Sequence, residues 1–380
     1  MQSLVGPNDF PASRKCTYLN AASVALMYGG AEQAVTEWQR DIAENGTINF
    51  DEKAEESVFS DLHSSAARLL NARPEDIAVG SSATELLASL AWAVAPGPDT
   101  NIVSTDIAFP STVYPWTRVA RYSGAEVRLC RSENEYARFD DMARLIDDRT
   151  AVVCVSHVEY SGGQLHDLAK LAEVAHAKGA LLVVDATQSA GAIPIDVSVS
   201  GVDALVSAGY KWLCGPFGVA VLYLAPELQN RLEPGVVGFR SHKKMWDLRP
   251  DRIEYPETAR RFEYSTMAYG CAIGLTRSID YLVKVGVERI FERNMRLMDR
   301  LVEGLRERDA AVVSSLEEHE RTSIIAARFP GKDSEALAKH LNQMRVVVSQ
   351  RRGLVRFSAH LYNEPGDIEQ ALEKIDCFSG

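Results

Sequence analysis

The sequence predicts an α/β fold: a large domain whose mostly parallel sheet is sandwiched by helices, with a smaller α+β unit after it. Three observations lead there. Between residues 76 and 224, short apolar runs alternate with amphipathic helical stretches, the pattern of a sheet covered on both faces. The runs AVVCVS (151–156) and ALLVVD (180–185) are apolar at every position but the last, as buried central strands are. Residues 225–260 then change character, with many charges and Pro226, Pro234, Pro250 and Pro256, before helical periodicity resumes.

Taken in order, residues 31–47 read as an amphipathic helix ending near Gly46, and 52–71 as one more, stopped before Pro74. A strand at 76–79 leads into GSSATE, a glycine turn opening a helix that Pro96-Gly97 ends. Strand 101–104 and helix 111–123 follow, then strand 126–129 and helix 139–146, then strand 151–156 and helix 168–178. Three further apolar strands span 180–185, 204–207 and 219–224. After the irregular 225–260 connection comes one long helix over 270–307. Two strands, a helix at 333–345, two strands within 346–358 and a last helix from Asp367 complete the α+β unit. The expected division is a large domain, 26–260, and a small one formed by 1–25 with 261–380.

The 380 residues are 46% hydrophobic and 24% charged, with net charge −11 and pI about 5.3. Phosphate-backbone binding needs a basic footprint, so nucleic acid is not an expected partner. MQSLVGPNDFPASRK lacks a signal-peptide core, and the most apolar stretch, near 86–95, is about half a membrane span. The expectation is a soluble, cytoplasmic protein away from membranes. The six cysteines form no C-x-x-C pair, and the eight histidines show no metal-ligand spacing, so no metal is expected.

Three features carry chemistry. Asp185 ends an apolar strand, where ligands of open α/β sheets bind; the bland alternative is a carboxylate capping a turn. Gln188 follows in the same loop. Lys211, in SAGYKWLCGPFG, sits among apolar and aromatic neighbours just past the next strand. Lost hydration would lower its pKa and leave a nucleophilic amine; the alternative is a lysine whose stem packs while its ammonium reaches water. The GSSATE helix start offers free N–H groups and hydroxyls to an anion, although Ser or Thr could simply cap the helix. Pyridoxal 5′-phosphate uses all three: a lysine for its aldehyde, an acid for its pyridinium nitrogen and an anion site for its phosphate.

The ordered set GSSATE, VVDATQSAG, GYKWLCGPFG, RFEYST and VRFSAHLYN resembles the class V aminotransferase family of fold-type I pyridoxal phosphate enzymes. The likeness runs from YLNAAS (18–23) to the C-terminal helix. FPSTVYPW (109–116) and YKWLCGPFG point to the branch with cysteine desulfurase-like, selenocysteine lyase-like and isopenicillin N epimerase-like members. The resemblance implies that Lys211 joins the cofactor aldehyde and Asp185 pairs with the pyridinium. It implies that Gln188 meets the ring O3′, that Ser82, Ala83 and Thr84 hold the phosphate, and that Phe109 stacks on the ring. Tyr210 and Ser207 are further phosphate contacts; Ser207 lies one residue earlier than its counterpart in desulfurase-like relatives. Thr266 matches a threonine that reaches the partner subunit's phosphate, which implies a homodimer with shared active sites. Arg356 matches the arginine for the substrate α-carboxylate, with Arg351 and Arg352 nearby but expected in solvent. His157 and Tyr160 follow another strand end, Tyr160 standing where desulfurase-like relatives have asparagine.

The substrate is then a small amino acid, and the fate of the carbanion at its Cα defines the reaction. A persulfide-forming desulfurase needs a cysteine shortly before the carboxylate arginine, and LNQMRVVVSQRRGLV (341–355) has none. The leading expectation is an aminotransferase. The alternatives are a C–S or β-elimination lyase or an epimerase, and a non-catalytic protein that binds the cofactor.

Overall fold

The computed structural model describes residues 3–379, so the outermost residues of the expected division, 1–2 and 380, lie outside the described residues. Its strands are β1 (Thr17–Tyr18), β2 (Ile77–Gly80), β3 (Asn101–Thr105), β4 (Glu126–Cys130), β5 (Thr150–Ser156), β6 (Leu181–Asp185), β7 (Ala204–Ala208), β8 (Ala220–Leu224), β9 (Ala311–Val312), β10 (Ile324–Arg328), β11 (Val346–Val347), β12 (Ser349–Arg351) and β13 (Leu354–Ser358). A seven-stranded sheet runs β2-β8-β7-β6-β5-β3-β4. Only β8 runs against its neighbours, so the sheet is mostly parallel.

Side chains of a strand alternate between faces, and here both faces are apolar. Leu182 and Val184 enter one core, Val183 the other; Val153 and Val155 face the first, Val152 and Cys154 the second. The helices Ala83–Val94 and Pro110–Ser123 close the second face, while Leu168–His176 and Tyr269–Val285 close the first. A third core lies under the antiparallel sheet β12-β13-β10-β9, covered by the helices Val287–Arg306, Ser334–Gln343 and Pro365–Asp376.

Several elements differ from expectation. The helix expected over 52–71 is two, Glu52–Ser57 and Ser60–Leu70. No glycine or proline marks the break. It is tertiary: Phe59 turns fully inward, beneath the Arg240 guanidinium at 4.8 Å. The long helix over 270–307 is likewise two, Tyr269–Val285 and Val287–Arg306. Gly286 separates them at φ 94, a backbone region open mainly to glycine. Three short strands, not two, occupy 346–358, and the 225–260 connection holds one short helix, Pro226–Gln229, and short 3-10 turns.

The strand β1 was not foreseen. It pairs in parallel with β11, and the chain after it threads between the two larger sheets. Ala21 N–H donates to Ser358 O on β13, and Ser358 N–H donates to Leu19 O. Further on, Ala25 N–H donates to Tyr210 O and Tyr28 N–H to Cys214 O. Residues 17–28 thus strap the C-terminal sheet to the segment that carries Lys211.

Candidate active site

The carboxyl ends of β2, β5, β6 and β7 open on one cleft. Eight residues expected at the site line it: Ser82, Ala83, Thr84, Phe109, Asp185, Gln188, Tyr210 and Lys211. Ser111, Ser156, Thr187 and Ala208 complete the wall.

Its lysine is held by a tight turn. After β7 the chain doubles back, and Gly215 N–H donates to Gly209 O at 2.8 Å. A Cβ on Gly215 would meet Leu275 Cδ1 at 2.6 Å and Gly209 O at 3.0 Å, so only glycine fits. Cys214 sits at φ 52, an uncommon conformation for a residue with a Cβ. The flanking side chains pin the turn on three sides. Trp212 Nε1 donates to Gln188 Oε1 at 2.8 Å, Ser278 Oγ donates to Leu213 O at 2.6 Å, and His360 Nε2 meets Trp212 O at 2.9 Å.

Lys211 itself is 7% exposed and has no hydrogen bond or ion pair among the described residues. Burial drives its pKa down to about 8, against the opposing pull of Asp185 and with help from Arg356 and Arg351. Its Nζ lies 5.3 Å from the centre of the Phe109 ring, which is 41% exposed and faces the cleft. Tyr160 meets the same ring edge-on at 5.3 Å. Tyr210 stacks on Phe217 at 4.6 Å.

Asp185 ends β6, 6% exposed. Thr112 Oγ1 donates to its Oδ2 and Thr187 N–H to its Oδ1, both at 3.0 Å. Those two bonds aim the carboxylate and leave it lone pairs for a further donor. Gln188 is more committed. Its Oε1 takes the Trp212 proton, and its Nε2 donates to Ala22 O at 2.9 Å, so one amide hydrogen remains for a ligand.

At the far end, Ser82 caps the helix Ala83–Val94, its Oγ accepting from Glu85 N–H at 3.1 Å. The N–H groups of Ala83 and Thr84 have no acceptor among the described residues, and Thr84 Oγ1 donates to Ser111 Oγ. This is the bland capping role and an open anion cradle at once. Burial raises Glu85 to about 7, a backbone bond from Ser81 N–H opposing it, which limits the negative charge beside the cradle.

Arg356 is 1% exposed on β13 and pairs with no carboxylate among the described residues. Nη2 donates to Ser23 Oγ at 2.6 Å, Nη1 to Tyr160 O, and Nε has no partner. Burial works against its charge most, and Arg351 adds to that. Arg351 is not in solvent as expected: it is half-buried, and its Nη2 also donates to Ser23 Oγ, at 3.2 Å. Arg352 does point outward, to Glu135.

Five of the expected residues do not line the cleft: Arg356 and Tyr160, already described, and three more. Ser207 is buried on β7 and bonds only weakly, to Ala208 O at 3.5 Å. His157 lies beside the cleft wall, its Nδ1 3.0 Å from Ser189 Oγ; burial lowers it to about 3, so it is neutral near pH 7. Thr266 is exposed at the start of the Tyr269–Val285 helix and lines none of the cleft. Sequence reasoning missed Ser23 and Thr112, and marked Thr187 only as the neighbour of Gln188. Thr112 stood inside FPSTVYPW, where its three-residue spacing from Phe109 was the available signal.

The donor set fits pyridoxal phosphate: a buried unpartnered amine, a strand-end carboxylate with spare lone pairs, and free helix N–H groups on one cleft. Comparison with known proteins agrees. The family model described as aminotransferase class-V matches residues 33–370. An uncharacterized aminotransferase of Bacillus subtilis is 27% identical over 96% of this chain and 95% of its own. The apo structure of cysteine desulfurase from Thermococcus onnurineus superposes with TM-score 0.88 and 25% identity, covering 98% of both chains. A mutant of C-DES, with glycine covalently linked to its PLP cofactor, superposes with TM-score 0.90 and 22% identity over 99% of this chain and all of that one, a likeness of fold.

Proposed function

The chain belongs to the class-V aminotransferase family of pyridoxal phosphate-dependent enzymes, and from that premise we propose that it is an aminotransferase of amino acids. One observation carries the cofactor-dependent part of the reading: Lys211, a buried amine with no hydrogen bond or ion pair among the described residues, shares a cleft with Asp185 and an open helix N-terminus, while transamination rests on the likeness to the Bacillus subtilis aminotransferase. The cofactor, when bound, supplies an aldehyde for amines and a ring that takes up the electron pair left at the substrate Cα.

The protein's own residues do the rest. Ser82, Ala83 and Thr84 hold the phosphate, and Asp185 keeps a proton on the ring nitrogen. Phe109, on the cleft wall beside Lys211, would exclude water from the cofactor ring. The remaining Gln188 amide hydrogen serves O3′. Arg356 meets the substrate α-carboxylate, a task suited to a guanidinium with unused donors. With the cofactor bound, Lys211 Nζ would be the group to take the proton from the substrate Cα and to give it back, as general base and then acid. In this reading 26–260 and the remainder of the chain act as two domains that meet on the substrate, and Thr266 serves the partner subunit's site in a homodimer.

The second reading is β-elimination, which the desulfurase relatives favour. Against a persulfide route stands the want of a placed nucleophile: among the described residues no cysteine lines the cleft, and β12 and β13 are joined by a tight turn at Arg352-Gly353. Single-turnover product analysis separates the two. With one amino donor and no acceptor, an aminotransferase forms at most one oxo acid per site and no free ammonia. Continuous release of ammonia would overturn the aminotransferase reading in favour of elimination.

A further inference from the structure

We infer that Arg351 and Arg356 form a two-cation site, so that the preferred substrate is an amino acid with a second anionic group, a carboxylate or sulfinate, on its side chain. This rests on the reading that Arg356 takes the α-carboxylate; Arg351 then takes the side-chain anion.

The hairpin register brings the two together. Ser349 on β12 lies directly opposite Arg356 on β13, and Arg351 lies opposite Leu354. Cross-strand partners share a face, and so do residues two apart. Arg351 and Arg356 therefore rise from one face of the sheet, and Ser23 of the strap stands before it. Both guanidiniums donate to that single hydroxyl, at 3.2 and 2.6 Å.

Their other acceptors are neutral. Arg356 reaches Tyr160 O, and Arg351 reaches Gln350 O. Among the described residues neither forms an ion pair, whereas Arg352, between them in sequence, pairs with Glu135 at 2.6 Å. A buried charge such as that of Arg356 is ordinarily paired, because an unpaired one forfeits its hydration for nothing, and half-buried Arg351 keeps only part of its own. One α-carboxylate neutralises one of the two cations. Asp185 offsets Lys211 across the cleft and is not in contact with either arginine. The positive charge left over calls for a second anion on the same ligand, within reach of Arg351.

With no oxo-acid acceptor present, an amino donor reacts at most once per site, and carboxylates without an amine do not react. In the holoenzyme, visible-absorbance titration gives the affinity for L-aspartate, L-cysteine sulfinate and L-alanine. In cofactor-free protein, calorimetry compares succinate with propionate. The expected result is a preference for the doubly anionic ligand of about tenfold or more, roughly the free energy of one additional ion pair. Arg351→Gln should bring that ratio to near one, and Arg351→Lys should retain part of it. A wild-type ratio near one overturns the inference, because both arginines would then clamp the same carboxylate. So does a ratio that survives Arg351→Gln. If Arg356→Gln leaves every affinity at its wild-type value, the α-carboxylate reading itself has failed, a different outcome from loss of the ratio alone.

Discussion

Lys211 shows how far one residue's surroundings set its chemistry. A lysine in water is protonated to above pH 10, whereas burial brings this one down to about 8. Only the neutral amine attacks an aldehyde, so the rate of cofactor capture should rise about tenfold per pH unit up to about 8 and then level off. Following visible absorbance after mixing cofactor-free protein with pyridoxal phosphate at several pH values tests this. A rise continuing to pH 10 would mean an ordinary, solvated lysine. Lys211→Ala should give no such absorbance at any pH. Asp185→Asn keeps an acceptor for Thr112 but carries no charge to retain the ring proton. Its expected loss of turnover is about 100-fold or more, with cofactor still bound, as measured by steady-state rates beside a cofactor titration. The placement of Lys211 and Asp185 on one cleft was legible because strand ends and apolar neighbours are local sequence facts. The role of Ser23 was not: its bond to Arg356 spans 333 residues, and a serine in YLNAAS carries no signal of its own.

At the level of elements, two junctions decide whether the cleft forms. In the turn after β7, Gly215→Ala would push a methyl into Leu275 and Gly209 O. Such overpacking costs about 1–3 kcal/mol, to be read as a lower denaturation midpoint. The second junction ties the segment before the Tyr269–Val285 helix to β2. There, Glu263 Oε1 accepts from Val79 N–H and bonds His63 Nε2. Burial works to raise the Glu263 carboxyl, but the charge and hydrogen bond of His63 prevail and hold it below its ordinary 4.5. A depressed carboxyl stabilises the fold above its unfolded value and loses that contribution as pH falls through its folded one. Stability should therefore drop on acidification below about pH 4.5, and Glu263→Gln should flatten that part of the profile while costing about 3 kcal/mol near neutrality. Unfolding curves of both proteins from pH 3 to 7 provide the check. Element type was readable from periodicity, as in AVVCVS and ALLVVD. The break at Phe59 was not, because it answers to Arg240, far along the chain.

For the molecule as a whole, the exposed Thr266 and the cleft belong to one site only if a second copy brings them together. Light scattering should then report twice the 41.8 kDa of the chain, and a monomer at working concentration would remove Thr266 from the site. The strap at residues 17–28 has a consequence in time. Ser82 to Lys211, the residues around the cofactor, are all made within the first 211 positions, whereas Ser23 waits for Arg351 and Arg356 near the end of synthesis. Contacts so distant in sequence form late and slowly. A growing chain could acquire its cofactor cleft well before it can grip a substrate, and the earliest-made segment would be the last to find its place.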